Sequence, residues 1–422
     1  MTEFRRAAVA AAVLSAALGA EAADPVPYFI DEADLRSPVF ECLVKEDAAE
    51  KYTPEEQRLV DKLWDETLVY LGAFAKALTT DTTGRCLRSD EAVYETAGGV
   101  KSFCVTDRED IRRMVKQIHQ ILANPKAAKA CFSPRRGDKT LMMPEGKMLE
   151  RSPVAQWINR PRLSDYFKTA SKNPEVAAYG AKFAAHFDEM AAEGDIAVPP
   201  QFGRDVSAKA LPNLWAAVGW VPMYAADSAR NKRNFTAVRG GYAYGEILGH
   251  WGLLRIKSIN GVPVGAEIGM TVQSVGTLYP YHNHAITELY YTLRRPAKAD
   301  QLNSFAVRAD NRILKTVSEN RSERTVEFDS RKGSEADSWA PTAFDKAPLV
   351  YFHENTIHAF DMKADGEAHP ESRAMVAVWA RGNADDKRND YGNTRLCENA
   401  EQPDTPALKG GVIRCQLTQQ KW

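Results

Sequence analysis

The stretch of the chain best equipped for chemistry reads Gly276-Thr277-Leu278-Tyr279-Pro280-Tyr281-His282-Asn283-His284-Ala285-Ile286-Thr287-Glu288-Leu289-Tyr290-Tyr291. Side chains alternate across a β-strand, so histidines at i and i+2 point to one side. Glu288 opens a second strand-like run four residues after His284, and Tyr290 shares its face. Leu289, Tyr291 and Leu293 take the other, apolar parity, while Glu288, Tyr290 and Thr292 form a polar face. An ordinary half-exposed strand also alternates. Two imidazoles and a carboxylate concentrated on the polar face argue for an enclosed interior in which they converge.

A third imidazole has to come from a distant strand. His358 supplies it, within Tyr351-Phe352-His353-Glu354-Asn355-Thr356-Ile357-His358-Ala359-Phe360, and His353 is the alternative. The set His282, His284, Glu288 and His358 suits zinc, iron, manganese or nickel, so the ligands alone leave the divalent metal open. His250 and His369 have no such surroundings. His119 and His186 lie in helix-like patterns with no ligand type at i±4, and all four read as structural or surface histidines.

These residues need a scaffold. Residues 24 to about 235 read as mainly helical. Thr53-Pro54-Glu55-Glu56 is a capping box with proline at the first helical position, followed by Leu59, Leu63, Trp64, Leu71, Phe74 and Leu78 at helical spacing. Thr106 and Glu109 open a second helix that stops near Pro125, and Asn173-Pro174 opens a third that stops at Gly194. The character changes near Val238, where Gly, β-branched and aromatic residues take over. Asn260-Gly261 signals a hairpin, and strand-like runs follow at 266–276, 288–293, 349–352 and 374–379. Residues 297–345 are polar, with one possible strand at 324–328, and the tail after Arg381 reads as loop. Short strands between Gly and Asn turns predict a sandwich or barrel.

The N-terminus reads as a leader. Arg5 and Arg6 precede an apolar run from Ala7 to Leu18, and Ala20-Glu21-Ala22 resembles a cleavage site. A signal peptide over 1–22, a helical domain over 23–235 and a β-rich domain over 236–422 are the expected divisions. The run is too short to span a membrane, and no later segment suggests a span, so an exported soluble protein is expected. Six cysteines without a CxxC pair fit an oxidising compartment. Cys86 and Cys104 are spaced as Cys397 and Cys415 are, which predicts two local disulfides, leaving Cys42 with Cys131 as a third. A formal net charge of −1 gives no steering toward nucleic acid or an anionic membrane and fits a small zwitterionic ligand.

Gly, five residues, HxH, three residues, Glu and a distant His form the cupin pattern. HxHxxxExY, with the tyrosine two residues past the glutamate, resembles the cupin-type dimethylsulfoniopropionate (DMSP) lyases. The leader and the long helical region resemble their periplasmic DddY type. Two departures stand out: Arg295 replaces the usual Gly after the first motif, and His353 and Asn355 stand where Pro and Gly are usual in the second. The resemblance implies a mainly helical N-terminal domain and a cupin (double-stranded β-helix or jelly-roll) barrel, an α+β chain. It implies a metal, often zinc, on His282, His284, Glu288 and His358, with Tyr290 as base. It also implies a carbon–sulfur lyase that makes dimethyl sulfide and acrylate in the periplasm.

The sulfonium of such a substrate needs aromatic faces. Tyr242, Tyr244, Trp251, Tyr279, Tyr281, Tyr291 and Trp379 surround the motif, and Tyr244, on a Gly-flanked strand, is the first choice. Two other readings use the same ligands: an iron-dependent cupin dioxygenase, and a non-catalytic protein that holds a carboxylate on its metal.

Overall fold

The computed structural model describes residues 35, 37–43, 52–81, 83–88, 91–96, 99–104, 106, 109–134, 185, 202, 206, 210–218, 221–222, 242–249, 252–273, 278–284, 286–292, 306–309, 313–320, 323–329, 340–341, 349–352, 355–361, 375–382, 395–397 and 412–418. The expected leader, nearly all of the helix expected from Asn173, and His186, His250, Trp251, His353 and His369 lie outside the described residues.

Helix α1 spans Pro54–Thr79, α2 Glu109–Ala123, α3 Pro125–Ala128 and α4 Leu211–Ala217. The expected capping box closes α1. The Glu56 amide donates to Thr53 Oγ1 at 3.2 Å, and the Thr53 amide donates to Glu56 Oε2 at 2.8 Å. Two otherwise orphaned amides are thereby satisfied. Helix α2 stops before Pro125 as its sequence predicts.

The strands are β1 (Phe40–Cys42), β2 (Glu91–Thr96), β3 (Gly99–Cys104), β4 (Val221–Pro222), β5 (Tyr242–Leu248), β6 (Ile256–Ile259), β7 (Val262–Pro263), β8 (Glu267–Gln273), β9 (Leu278–Asn283) and β10 (Glu288–Thr292). They continue with β11 (Ala306–Ala309), β12 (Ile313–Glu319), β13 (Glu323–Asp329), β14 (Ala340–Pro341), β15 (Leu349–Phe352), β16 (His358–Asp361), β17 (Met375–Arg381), β18 (Arg395–Leu396) and β19 (Val412–Thr418). One sheet has the order β15-β10-β17-β8-β5-β4 and another β14-β11-β16-β9-β18. Smaller sheets are β12-β13-β19, β1-β6-β7 and the β2-β3 hairpin. The β6-β7 turn is the predicted one: Asn260 and Gly261 both have positive φ, 53° and 76°, as a tight hairpin turn requires.

Three expectations are corrected. The 91–104 stretch of the helical region is a hairpin. The polar 297–345 stretch carries four strands, β11 to β14. The tail is not all loop: β19 pairs along its whole length with β13.

Helices and strands share a hydrophobic core, and the alternation in β10 positions the site. Leu289 and Tyr291 point to the helices. Tyr291 Oη donates to the Ala77 carbonyl at 2.5 Å, and its ring meets Phe74 and Phe202 at centroid distances of 6.1 and 5.5 Å. Tyr70 of the same helix donates to the Gly269 carbonyl at 2.8 Å. Each such buried ring contributes roughly 1.5–3 kcal/mol through removal from water. A one-residue slip of β10 would bring Glu288 and Tyr290 into this core, so its burial fixes the register.

Candidate metal centre

His282 lies near the end of β9, His284 just beyond it, Glu288 at the start of β10 and His358 at the start of β16. His358 is the cross-strand partner of His282, and a register shift follows between His358 and Phe360. The glutamate belongs to the six-stranded sheet and the histidine strands to the five-stranded one, so the two sheets face each other here. Gln273 ties them again, its Nε2 donating to the Phe360 carbonyl at 3.1 Å.

All four side chains are buried, and one ligand atom from each lies within 4.8 Å of the others. Glu288 Oε2 is 3.2 Å from His284 Nε2 and 3.1 Å from His358 Nε2. His358 Nδ1 lies 2.9 Å from the Thr356 carbonyl. A proton on Nδ1 would be donated there, leaving Nε2 as the lone-pair atom facing the centre. Phe352 stacks on the His358 ring at 4.1 Å and 14°, fixing its plane. Burial opposes ionisation of Glu288. His284 first, and then His358, outweigh that through charge and hydrogen bonding and hold the carboxyl well below the usual carboxylate range.

The donor set fits a divalent ion. Bonds of about 2.0–2.2 Å put two ligands of a tetrahedral ion roughly 3.3–3.6 Å apart, close to the separations of Glu288 from His284 and His358. With the imidazoles neutral, as ligation requires, the carboxylate is a buried negative charge that a dication would balance.

Tyr290 is buried beside the cluster, and its Oη donates to Glu288 Oε1 at 2.8 Å. Phe360 and Phe352 flank its ring, with centroids at 4.8 and 6.2 Å. Tyr244 is half-buried. Its cross-strand partner is Thr271, which pairs with Ala377 and through it with Thr292. That register puts Tyr244 on the Tyr290 face of the sheet, three strands away. Two rings in the sequence list face elsewhere. Tyr281 belongs to a buried cluster with Val326, Ile357, Cys397 and Cys415, and Tyr291 faces α1.

Sequence reasoning missed part of the site's surroundings. Glu267, Thr271 and Gln273 are buried and share the Tyr290 face. Asn355, at the usual Gly position of the second motif, has a backbone role. It adopts φ 58°, the left-handed conformation that glycine or asparagine tolerates, which explains why Asn can stand where Gly is usual. Its amide donates to the His284 carbonyl at 2.6 Å, joining the turn before His358 to the first two histidines.

Cysteine pairing follows the spacing: Cys42–Cys131, Cys86–Cys104 and Cys397–Cys415 are disulfides. Among the described residues, no helix is long and apolar enough to cross a membrane.

No family model matches the chain. Among solved structures, a chain from the crystal structures of the DMSP lyases RdDddP and RnDddQII matches 47% of this chain and 73% of its own length at 12% identity and a TM-score of 0.26. The DMSP lyase DddQ from Ruegeria pomeroyi DSS-3 matches 47% of this chain and 71% of its own at 13% identity and a TM-score of 0.26. Neither score reaches the range in which a shared fold follows. The sequence relationship is far closer. The dimethylsulfoniopropionate lyase DddY of Shewanella woodyi is 48% identical over 400 residues, which cover 95% of this chain and 96% of that protein. At that identity over nearly the whole of both chains, this protein belongs to the DddY family of DMSP lyases.

Proposed function

We propose that this protein cleaves DMSP to dimethyl sulfide and acrylate by β-elimination, at a divalent metal held by His282, His284, Glu288 and His358, with Tyr290 taking the α proton. The observation that carries the site assignment is the buried cluster of three imidazoles and one carboxylate with a phenol hydrogen-bonded to its edge. Family membership supports the substrate.

Removing a proton next to a carboxylate is difficult because charge builds on an existing anion. When bound, the metal supplies Lewis acidity that offsets this charge at the substrate carboxylate. Tyr290 is held by Glu288 beside the centre, and would take the proton from the carbon next to that carboxylate. A tyrosine has an ordinary pKa of about 10, and a neighbouring dication favours the phenolate that can accept a proton. The α C–H pair becomes the new double bond, the C–S bond breaks, and dimethyl sulfide departs neutral, so no general acid is needed. No electron is gained or lost, and zinc, which has no redox chemistry, suffices. Tyr244, on the same face, receives the sulfonium at ~0.5–2 kcal/mol.

The two larger sheets around the centre are read as a cupin barrel in a catalytic domain over 236–422, after a mainly helical domain over 23–235. Export to the periplasm behind a signal peptide at 1–22 is part of the same reading, supported by three disulfides, which persist in oxidising compartments. Proton NMR of purified protein with DMSP tests the function. Acrylate and dimethyl sulfide in equal amounts are expected. Unchanged DMSP, or a hydrated or oxidised product, would overturn it.

A further inference from the structure

We infer that the C-terminal segment closed by the Cys397–Cys415 disulfide is a positioning clamp for the metal ligands, and that it sets how long the metal stays bound. This rests on the metal reading above. Strand β18 adds to the edge of β9 with Leu396 opposite His282 and Arg395 opposite Asn283. The Cys397 amide then donates to the Tyr281 carbonyl at 2.9 Å. From the other side of the disulfide, the Gln416 carbonyl accepts from Asn283 Nδ2 at 3.3 Å. Both arms of the bridge therefore grip the residues on either side of His282.

The packing behind the ligands points the same way. Tyr281, Ile357 and Ala359 share one buried cluster with Cys397, Cys415, Leu417 and Val326. Tyr281 precedes His282, and Ile357 and Ala359 flank His358. Alternation sends the imidazoles into the centre and these apolar neighbours back onto the disulfide. Strand β19 is anchored independently by full-length pairing with β13, so the disulfide fastens a two-residue strand to a rigid support. A β18 of two residues has little holding power of its own. Without the bridge it detaches more readily, and His282 and His358 lose the backing that keeps them converged. The Cys86–Cys104 bridge, between the segment after α1 and the end of β3, is the natural control.

The test is the rate of zinc release from zinc-loaded protein into a chromophoric chelator. The variants are Cys397→Ser with Cys415→Ser, Cys86→Ser with Cys104→Ser, and Leu417→Ala, which thins the packing but keeps the bridge. The first should release zinc at least ~10-fold faster than wild type, a typical effect of losing support behind metal ligands. Leu417→Ala should be faster by a smaller factor and the control unchanged. Wild-type release from the first variant, or equal acceleration in both disulfide variants, overturns the clamp. If the first variant does not fold, Leu417→Ala decides: faster release upholds the clamp and a wild-type rate overturns it. A wild-type protein that holds none of zinc, iron, manganese and nickel overturns the metal reading and the clamp with it, whereas bound metal with unchanged release overturns the clamp alone.

Discussion

The two oxygens of Glu288 have separate partners: Oε1 accepts the Tyr290 phenol at 2.8 Å, while Oε2 lies 3.1 Å from His358 Nε2. One carboxylate thus orients the proposed base and completes the proposed ligand set. Metal binding and proton transfer share a residue, yet mutation should separate them, because the Tyr290 phenol bonds one oxygen of Glu288 and the histidines approach the other.

The ligand half is tested on His358. His358→Ala leaves three ligands and an unbalanced buried carboxylate, so metal content and dimethyl sulfide release should both fall below a tenth of wild type, on the order of the effect of losing one ligand. His353→Ala should keep both. Full metal occupancy in His358→Ala, with loss in His353→Ala, would transfer the ligand role to His353. Added zinc should restore chelator-stripped wild type, and turnover should consume no dioxygen in an electrode cell, which separates the lyase from an iron dioxygenase.

Asn355 carries a backbone prediction. Its φ of 58° is tolerated by Asn and Gly but strained for a β-branched residue. Asn355→Val should lower stability by ~1–3 kcal/mol, the usual cost of such strain. Asn355→Gly should stay close to wild type. Chemical denaturation measures both, and a Val variant as stable as wild type would remove the strain argument.

Burial pushes the His119 imidazole down to about 3 from an ordinary 6.5. The folded state therefore holds it neutral while the unfolded chain takes up a proton below pH 6.5. Its contribution is complete above 6.5 and is lost as the pH falls toward 3. The loss is on the order of 1 kcal/mol per pH unit within that window. His119→Gln should flatten the acid limb of the stability profile between about pH 6 and about pH 4.5, inside this window. An unchanged slope in urea titrations at those pH values would show that another group controls it.

Much of this was legible in the sequence because local rules and tertiary demands agree. His282, His284, Glu288 and Tyr290 could be grouped by strand parity, and burial of Leu289 and Tyr291 on the helices enforces that parity. The capping box at Thr53 and the Asn260-Gly261 turn are local chemistry, and both form as written. What escaped depends on partners distant in sequence. Strand β19 has the alternation of a strand, with Ile413, Cys415 and Leu417 on one parity, but only pairing with β13 and the disulfide distinguishes it from a tail. Strands β11 and β14 are too short to show a period of their own, and the ladder they join with β16 supplies their order. Tyr281 and Tyr291 looked equivalent to the other rings until packing turned them away from the site.

Headspace detection of dimethyl sulfide from Tyr290→Phe, beside wild type on matched preparations, tests the proposed elimination most directly. The substitution keeps the ring against Phe360 and Phe352 and removes only the oxygen bonded to Glu288. Metal content and thermal melt should match wild type and DMSP should still bind, while dimethyl sulfide release should fall at least ~10²-fold, the low end for a lost general base. Release near the wild-type rate from metal-loaded Tyr290→Phe would contradict the account.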